Sequence, residues 1–360
     1  MNIRYFPTTY FYYILKNKSE IKNILIIQTA FPGDIILTTP LIQGTRHVFP
    51  EANIDFLTIP ACTNLIETQP EIRQVLVFAK HQQHKSPAQL WRFARHLKKN
   101  HYDLTLIPHR SIRSAILAFA AKIPIRIGFD TSAGSFLMTH KIKYRNDWHE
   151  VERNLSLLSV FQEDLPQFSP QIFPDHEDKV MVDNYLCECE LKNEDLYTAI
   201  APGSVWETKK WLKEYFAELC DLLHDSFQKP IMLIGGQADY KLCQWISQNT
   251  KAETWNTAGK FTFRQSADLL SRCKILVTND SAPLHLGVSV QTRVLAIFGP
   301  TVKEFGFYPY GDNHQVIGHD VYCRPCGIHG GRKCPTGTFS CMKSIKPDEI
   351  LTQIQNMLSK

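Results

Sequence analysis

Short apolar runs separated by longer amphipathic stretches set the rhythm of this chain. Residues 24–27 form an unbroken apolar run between polar neighbours, the pattern of a strand buried on both faces of a parallel sheet. A loop over 28–34 follows, then a helical stretch from about Ile35 to Val48. Residues 54–59 and 75–78 read as further strands, and 90–100 has helical spacing, with Trp91 and Ala94 one turn apart. The run at 104–107 predicts a strand that delivers His109 and Arg110 to its C-terminal end. Residues 161–178 are rich in proline, glutamine and acids, the composition of a linker. After one helix the alternation restarts: strands at 197–201, 231–234, 275–278 and 293–298, helices at 215–227 and 240–248, and another helix from about Pro283.

Strands alternating with helices predict an α/β chain of two doubly wound domains facing a central cleft, with ligands beyond the C-terminal ends of the strands. The expected organisation is an extension over 1–22, an N-terminal domain over 23–165, a linker over 166–178, a C-terminal domain over 179–343 and a last helix within 344–360.

Length and charge refine this picture. A chain of 360 residues, 44% of them hydrophobic, exceeds one ordinary core and suits two. The net charge of +5 is modest, but between Lys80 and Arg126 ten lysines and arginines meet one acid, Asp103. Such a stretch is either a solvated face or a surface for an anionic partner, whether phosphorylated glycolipid, membrane or nucleic acid. The leader through Lys22 is aromatic and basic and broken by Pro7, a composition able to lie on a bilayer. It has no secretory cleavage pattern, and no run reaches the ~20 apolar residues of a spanning helix. The expectation is a cytoplasmic protein, soluble or peripheral on the membrane, with reduced thiols.

Four segments carry candidate chemistry. After the first strand comes Ala30-Phe-Pro-Gly-Asp34, where Asp34 opens a helix and serves either as a cap or as a general base. The glycine fingerprint of dinucleotide binding is absent, which disfavours a nicotinamide enzyme. The second segment, Ala201-Pro-Gly-Ser204 with Lys209 and Lys210, groups backbone amides, a hydroxyl and cations as a diphosphate site requires. In the third, Thr278 to Gly287, Asp280 and Ser281 are placed to cap a helix whose free amides favour phosphate, and His285 follows one turn on. Gly235-Gly236 adds a close-approach loop, with Gln237 and Asp239 in reach of a ribose or base. The fourth is Cys323, Cys326, Cys334 and Cys341, spaced C-x2-C-x7-C-x6-C, which leaves open a structural zinc site or a metal-free loop.

Taken in order, these segments resemble glycosyltransferase family 9, the heptosyltransferase family, from about Asn23 to Leu358. Also matching are Pro40, Phe49-Pro50, Arg126-Ile-Gly128, His149-Glu-Val-Glu-Arg-Asn154 and Phe298-Gly-Pro-Thr301, and the cysteine tail is similar to that of the second heptosyltransferase subgroup. The resemblance implies a GT-B fold and an inverting transferase that needs no metal for catalysis. It assigns the base to Asp34, and donor binding to Gly203, Ser204, Lys209, Asp280, Ser281, Ala282 and His285; Gln237 of the close-approach loop is expected to join them at the donor. Arg110 and Arg113 would hold an anionic acceptor. The implied donor is ADP-heptose and the implied acceptor the lipopolysaccharide inner core, with contact to the inner membrane and no role for nucleic acid. Ser281 and Ala282 stand where the family has Thr and Gly, which leaves room for another nucleotide-sugar. A non-catalytic nucleotide- or carbohydrate-binding protein of the same fold is the remaining alternative, and Asp34 argues against it.

Overall fold

A computed structural model describes residues 18–79 and 86–359. Residues 1–17 of the leader, and Lys80 and Lys85 of the basic stretch, lie outside the described residues. The chain divides into two compact units, one holding 18–145 and Glu150–Ser169, the other Asn146–His149 and 170–359.

The first unit is built on six parallel strands: β1 (Asn23–Ile27), β2 (Asn53–Thr58), β3 (Ile72–Val77), β4 (Leu104–Ile107), β5 (Ile125–Phe129) and β6 (His140–Ile142). Their spatial order is β3-β2-β1-β4-β5-β6. β1 is central because its side chains are apolar on both faces: Ile24 pairs with Ile54 on one side and Leu104 on the other, and Ile24 to Ile27 are fully buried. Each such side chain contributes about 1.5–3 kcal/mol by leaving water, which makes this strand a poor candidate for an edge. Helix Pro87–Lys98 brings the chain from β3 back to β4, and Ser86 and Gln89 close its start by reciprocal hydrogen bonds.

The second unit repeats the plan with β7 (Thr198–Ala201), β8 (Ile231–Leu233), β9 (Thr254–Asn256), β10 (Ile275–Asn279), β11 (Arg293–Ile297) and β12 (Gln315–Ile317), in the order β12-β11-β10-β7-β8-β9. Trp211, Phe216, Leu219 and Leu223 of one flank fill the core against Ile200, Leu233, Ile275 and Ile297. Helix His176–Glu188 is fixed here by Arg264, whose Nε lies 2.6 Å from Asp178 and Nη2 2.9 Å from Asp175.

The stretch expected as one helix from Ile35 to Val48 is two, Pro32–Ile36 and Thr39–Val48. Pro40 is the cause: it lacks an amide hydrogen, and its ring would collide with the carbonyl one turn back in a continuous helix. Among the described residues no helix is long and apolar enough to cross a membrane.

Candidate functional site

In the first unit the chain leaves β1 toward β2 and β3, and leaves β4 toward β5 and β6. Loops that diverge from adjacent parallel strands open a crevice at their C-terminal ends. Here those loops carry Asp34 and Arg110, and they are tied together by His109, whose Nδ1 lies 2.9 Å from Thr29 Oγ1 and 3.4 Å from Ser114 Oγ.

Asp34 does not cap its helix from outside. It is the third helical residue, and its carboxylate accepts the Phe31 N–H at 3.2 Å. Burial pushes its pKa up to about 6, and the nearby charge of Glu150 adds to the rise, against the Phe31 amide and the Arg110 guanidinium. Glu150 is itself buried and held above the ordinary carboxylate range by desolvation. Its Oε2 accepts the Tyr144 hydroxyl at 3.0 Å and Arg153 Nη1 at 3.0 Å. Arg110 and Arg153 both lie over the Tyr144 ring, 4.4 and 4.8 Å from its centre. Arg113 stands exposed on the first turn of helix Ile112–Ala120.

The sequence reading gave no role to Tyr144, Glu150 or Arg153. The only signal was the run His149 to Asn154, matched to the family without a function. A charged pair inside an acidic-basic helical run looks like solvent-facing surface until the fold buries it.

The second unit has the corresponding switch between β7 and β10. Pro202, Gly203 and Ser204 follow β7, and Asp280 and Ser281 follow β10. Asn279 joins the two loops: its Nδ2 donates to the Pro202 carbonyl at 2.8 Å, and its Oδ1 accepts the Trp211 N–H at 3.0 Å. Lys209 Nζ and Asp280 Oδ2 form a buried ion pair at 2.6 Å, and the Thr301 hydroxyl donates to the same oxygen at 2.7 Å. Four residues expected to serve the donor are thus brought to neighbouring loops: Lys209, Asp280, Gly203 and Ser204.

Gly203 is required here. A β-carbon at that position would lie 2.2 Å from Asp239 Oδ1, and Asp239 also fills the space a side chain on Gly235 would need. Asp239 Oδ2 accepts the Gly236 N–H at 3.0 Å, so this carboxylate organises the glycine loop from behind. Gln237 is exposed and its amide packs against Gly259.

The expected capping by Asp280 and Ser281 is corrected by the structure. Ser281 occupies the cap position of helix Ala282–Ser289, but its hydroxyl donates to the Asn279 carbonyl at 3.4 Å and no side chain caps the helix. Asp280 is turned to Lys209 instead. The amides of the first turn, next to the partly exposed Ala282, are left without a side-chain acceptor.

His285 is buried, and its Nδ1 has no hydrogen-bond partner among the described residues. Burial, with smaller contributions from His149 and Lys209, lowers its pKa to about 3, so the ring is neutral at physiological pH. His149 lies between the rings of Tyr308 and Tyr310, at 4.7 and 4.8 Å, and its Nε2 is 2.8 Å from the Tyr308 carbonyl.

The four tail cysteines are free, with neighbouring thiols contributing, after burial, to the raised pKa values of Cys326 and Cys341. Cys334 is lowered to about 7, chiefly by a hydrogen bond with Thr336 and then by amides of its own turn. Among the described residues no group of three or more His, Cys, Asp or Glu side chains is disposed to hold a metal ion. Cys334 is tied into an exposed turn, while Cys341 is buried in helix Ser340–Lys343.

The model of glycosyltransferase family 9 (heptosyltransferase) matches residues 90–333, more than half of the chain. The chain belongs to glycosyltransferase family 9. Among its relatives in family 9, lipopolysaccharide heptosyltransferase 2 of Salmonella typhimurium is 25% identical over 353 residues, covering 94% of this chain and 99% of the relative. The crystal structure of a family 9 glycosyl transferase from Veillonella parvula superimposes with a TM-score of 0.82 at 23% identity, over 94% of this chain and 97% of that one. The structure of Escherichia coli ADP-heptose lps heptosyltransferase II gives 0.76 at 22% identity, over 93% and 98%. The fold shared with these family 9 structures is GT-B.

Proposed function

We propose that this family 9 glycosyltransferase transfers heptose from ADP-heptose to the inner core of lipopolysaccharide, with inversion at the anomeric carbon and without a catalytic metal. The observation that carries the reading is Asp34, a desolvated carboxylate with a pKa of about 6 at the end of the first strand. Such a group is ionised at neutral pH yet basic enough to take a proton from a sugar hydroxyl. As that proton moves to Asp34, the hydroxyl oxygen bonds to the anomeric carbon and the bond from that carbon to the diphosphate oxygen breaks. ADP departs from the face opposite to attack, which inverts the centre.

The second unit serves the leaving group. Ser204, the Gly203 turn and the uncapped first turn from Ser281 and Ala282 offer donors, and Lys209 supplies the cation. In a desolvated pocket these groups stabilise charge as it develops on the diphosphate, an effect worth about 2.7–4 kcal/mol for one well-placed donor. His285, neutral and with an unused Nδ1, suits a sugar hydroxyl, and Gln237 suits the nucleoside.

An anionic glycolipid suits the rim of the first unit. Exposed Phe31, Ile112 and Phe136 accompany exposed Arg110 and Arg113 around the switch loops. This mixture also fits contact with the inner face of the cytoplasmic membrane. Ala282, where the family has Gly, favours testing a second nucleotide-sugar.

The test is to incubate purified protein with an inner-core glycolipid acceptor and ADP-heptose or ADP-glucose, after chelation of metals. ADP release, product mass and anomeric configuration are then read. Heptose transfer with inversion supports the proposal. Transfer with retention, preference for ADP-glucose, or binding of donor without turnover would each replace it.

A further inference from the structure

The cysteine-bearing tail makes two separate connections to the proposed donor site. On one side Arg324 gives Nε and Nη2 to the Thr301 carbonyl, at 3.0 and 2.8 Å, and Nη1 to the His319 carbonyl at 3.1 Å. The Cys326 N–H donates to the adjacent Pro300 carbonyl at 2.9 Å. These bonds fix residue 301, whose hydroxyl holds Asp280 Oδ2, the oxygen that receives Lys209.

On the other side Thr208 is clasped by Gly331. Its N–H and its hydroxyl both donate to the Gly331 carbonyl at 3.0 Å, and the Gly331 N–H donates to the hydroxyl at 2.7 Å. The neighbouring Gly330 has a φ of +71°, and a β-carbon there would lie 2.9 Å from Thr208 Oγ1 and 3.2 Å from Lys209 Cγ. One segment therefore grips the residue before Lys209 and, through Thr301, the carboxylate that Lys209 faces.

We infer that Arg324, Thr301 and Thr208 are positioning residues for the donor diphosphate, and that the segment from Cys323 to Gly331 is the brace that aims Lys209. The inference rests on Lys209 being the donor's cation. A lysine side chain loses much rotamer freedom when it is held, and a site that has already fixed it binds an anion more tightly for the same contacts. The ion pair to Asp280 alone does not fix the lysine, because that carboxylate can rotate. The Thr301 hydroxyl stops the rotation, and Arg324 stops Thr301 from leaving.

The experiment measures donor dissociation constants by calorimetry, and KM and kcat for transfer, on Thr208→Val, Thr208→Ser, Arg324→Gln and Lys209→Ala. Thr208→Val and Arg324→Gln are expected to raise the donor Kd about tenfold, as for a lost hydrogen bond in a charged network. Because Lys209 also meets the charge that develops on the departing diphosphate, kcat at saturating donor is expected to fall as well, whereas general loss of folded protein lowers kcat without raising the donor Kd. Thr208→Ser keeps the hydroxyl and restores wild-type affinity. Unchanged donor affinity in Thr208→Val and Arg324→Gln overturns the brace, as does a Thr208→Ser variant as weak as Thr208→Val. Lys209→Ala separates this from the underlying reading: if it too leaves affinity unchanged, the diphosphate assignment itself fails.

Discussion

Replacing Asp34 by Asn separates the proposed base from the proposed donor site and reads its pKa in two independent ways. Asn keeps an oxygen for the Phe31 amide, which the carboxylate accepts at 3.2 Å, so the local backbone has no reason to move. Without a base at this point, turnover is expected to fall by about 10²–10⁴ while donor binding in the other unit is retained. In the wild type the group titrates at about 6 against an ordinary 3.8, so kcat is expected to rise with pH through an acid limb near 6. Glu150→Gln removes a charge that lifts this value and is expected to move the limb to lower pH.

The same shift has a thermodynamic face. Between about pH 4 and 6 the folded protein holds this proton and the unfolded chain has lost it. Stability from this residue is therefore highest below pH 4, declines as pH rises through 6, and is constant above. A shift of that size is worth about 3 kcal/mol at 1.36 kcal/mol for each pKa unit. Asn carries no charge to desolvate, so Asp34→Asn is expected to melt several degrees above wild type at pH 8. The two should converge near pH 4. Calorimetric melts at both pH values, with a pH profile of transfer, make the check. An acid limb near 4, or a stability difference that does not depend on pH, would show that Asp34 is an ordinary solvated carboxylate and refute the reasoning.

Gly203→Ala places a methyl 2.2 Å from Asp239 Oδ1, and overpacking of this kind costs about 1–3 kcal/mol; thermal melts and donor titration should both show the loss. Asn279→Ala leaves the Trp211 amide and the Pro202 carbonyl buried without their partner, at about 1–3 kcal/mol each, and is expected to lower the denaturation midpoint and weaken donor binding together. Prolonged treatment with a strong chelator is expected to leave transfer rates unchanged, measured by ADP release against an untreated control.

Much of the fold is legible in the sequence because central parallel strands are continuous apolar runs, and β1, β4, β7, β10 and β11 are of this kind. Three of the four edge strands escape, while β3 has apolar residues enough to be read at 75–78. β6, β9 and β12 have three residues each, with polar members such as His140, Thr254 and Gln315, and nothing in such a triplet distinguishes a strand from a loop. β5 alternates Arg126 and Gly128 with apolar residues and drew notice only as a family motif. The candidate site divides in the same way. Asp34, Gly203, Lys209 and Asp280 follow predicted strands, so the rule for strand ends leads to them. Glu150 and Arg153 follow no strand that the sequence predicts, and they are buried beside Tyr144, which spacing does not encode. Asp280 shows the limit of local reading: a carboxylate before a helix suggests a cap, but the buried Lys209 takes it instead of a backbone amide.

His149 belongs by sequence among residues of the first unit and by packing to the second. A C-terminal fragment begun at residue 170 would lose that imidazole, uncovering the faces of Tyr308 and Tyr310 and stranding a carbonyl that it now satisfies. Grafting the second unit of one family 9 enzyme onto the first unit of another at a single junction would thus carry a hidden mismatch. A workable chimera has to exchange the tetrapeptide 146–149 along with the larger piece.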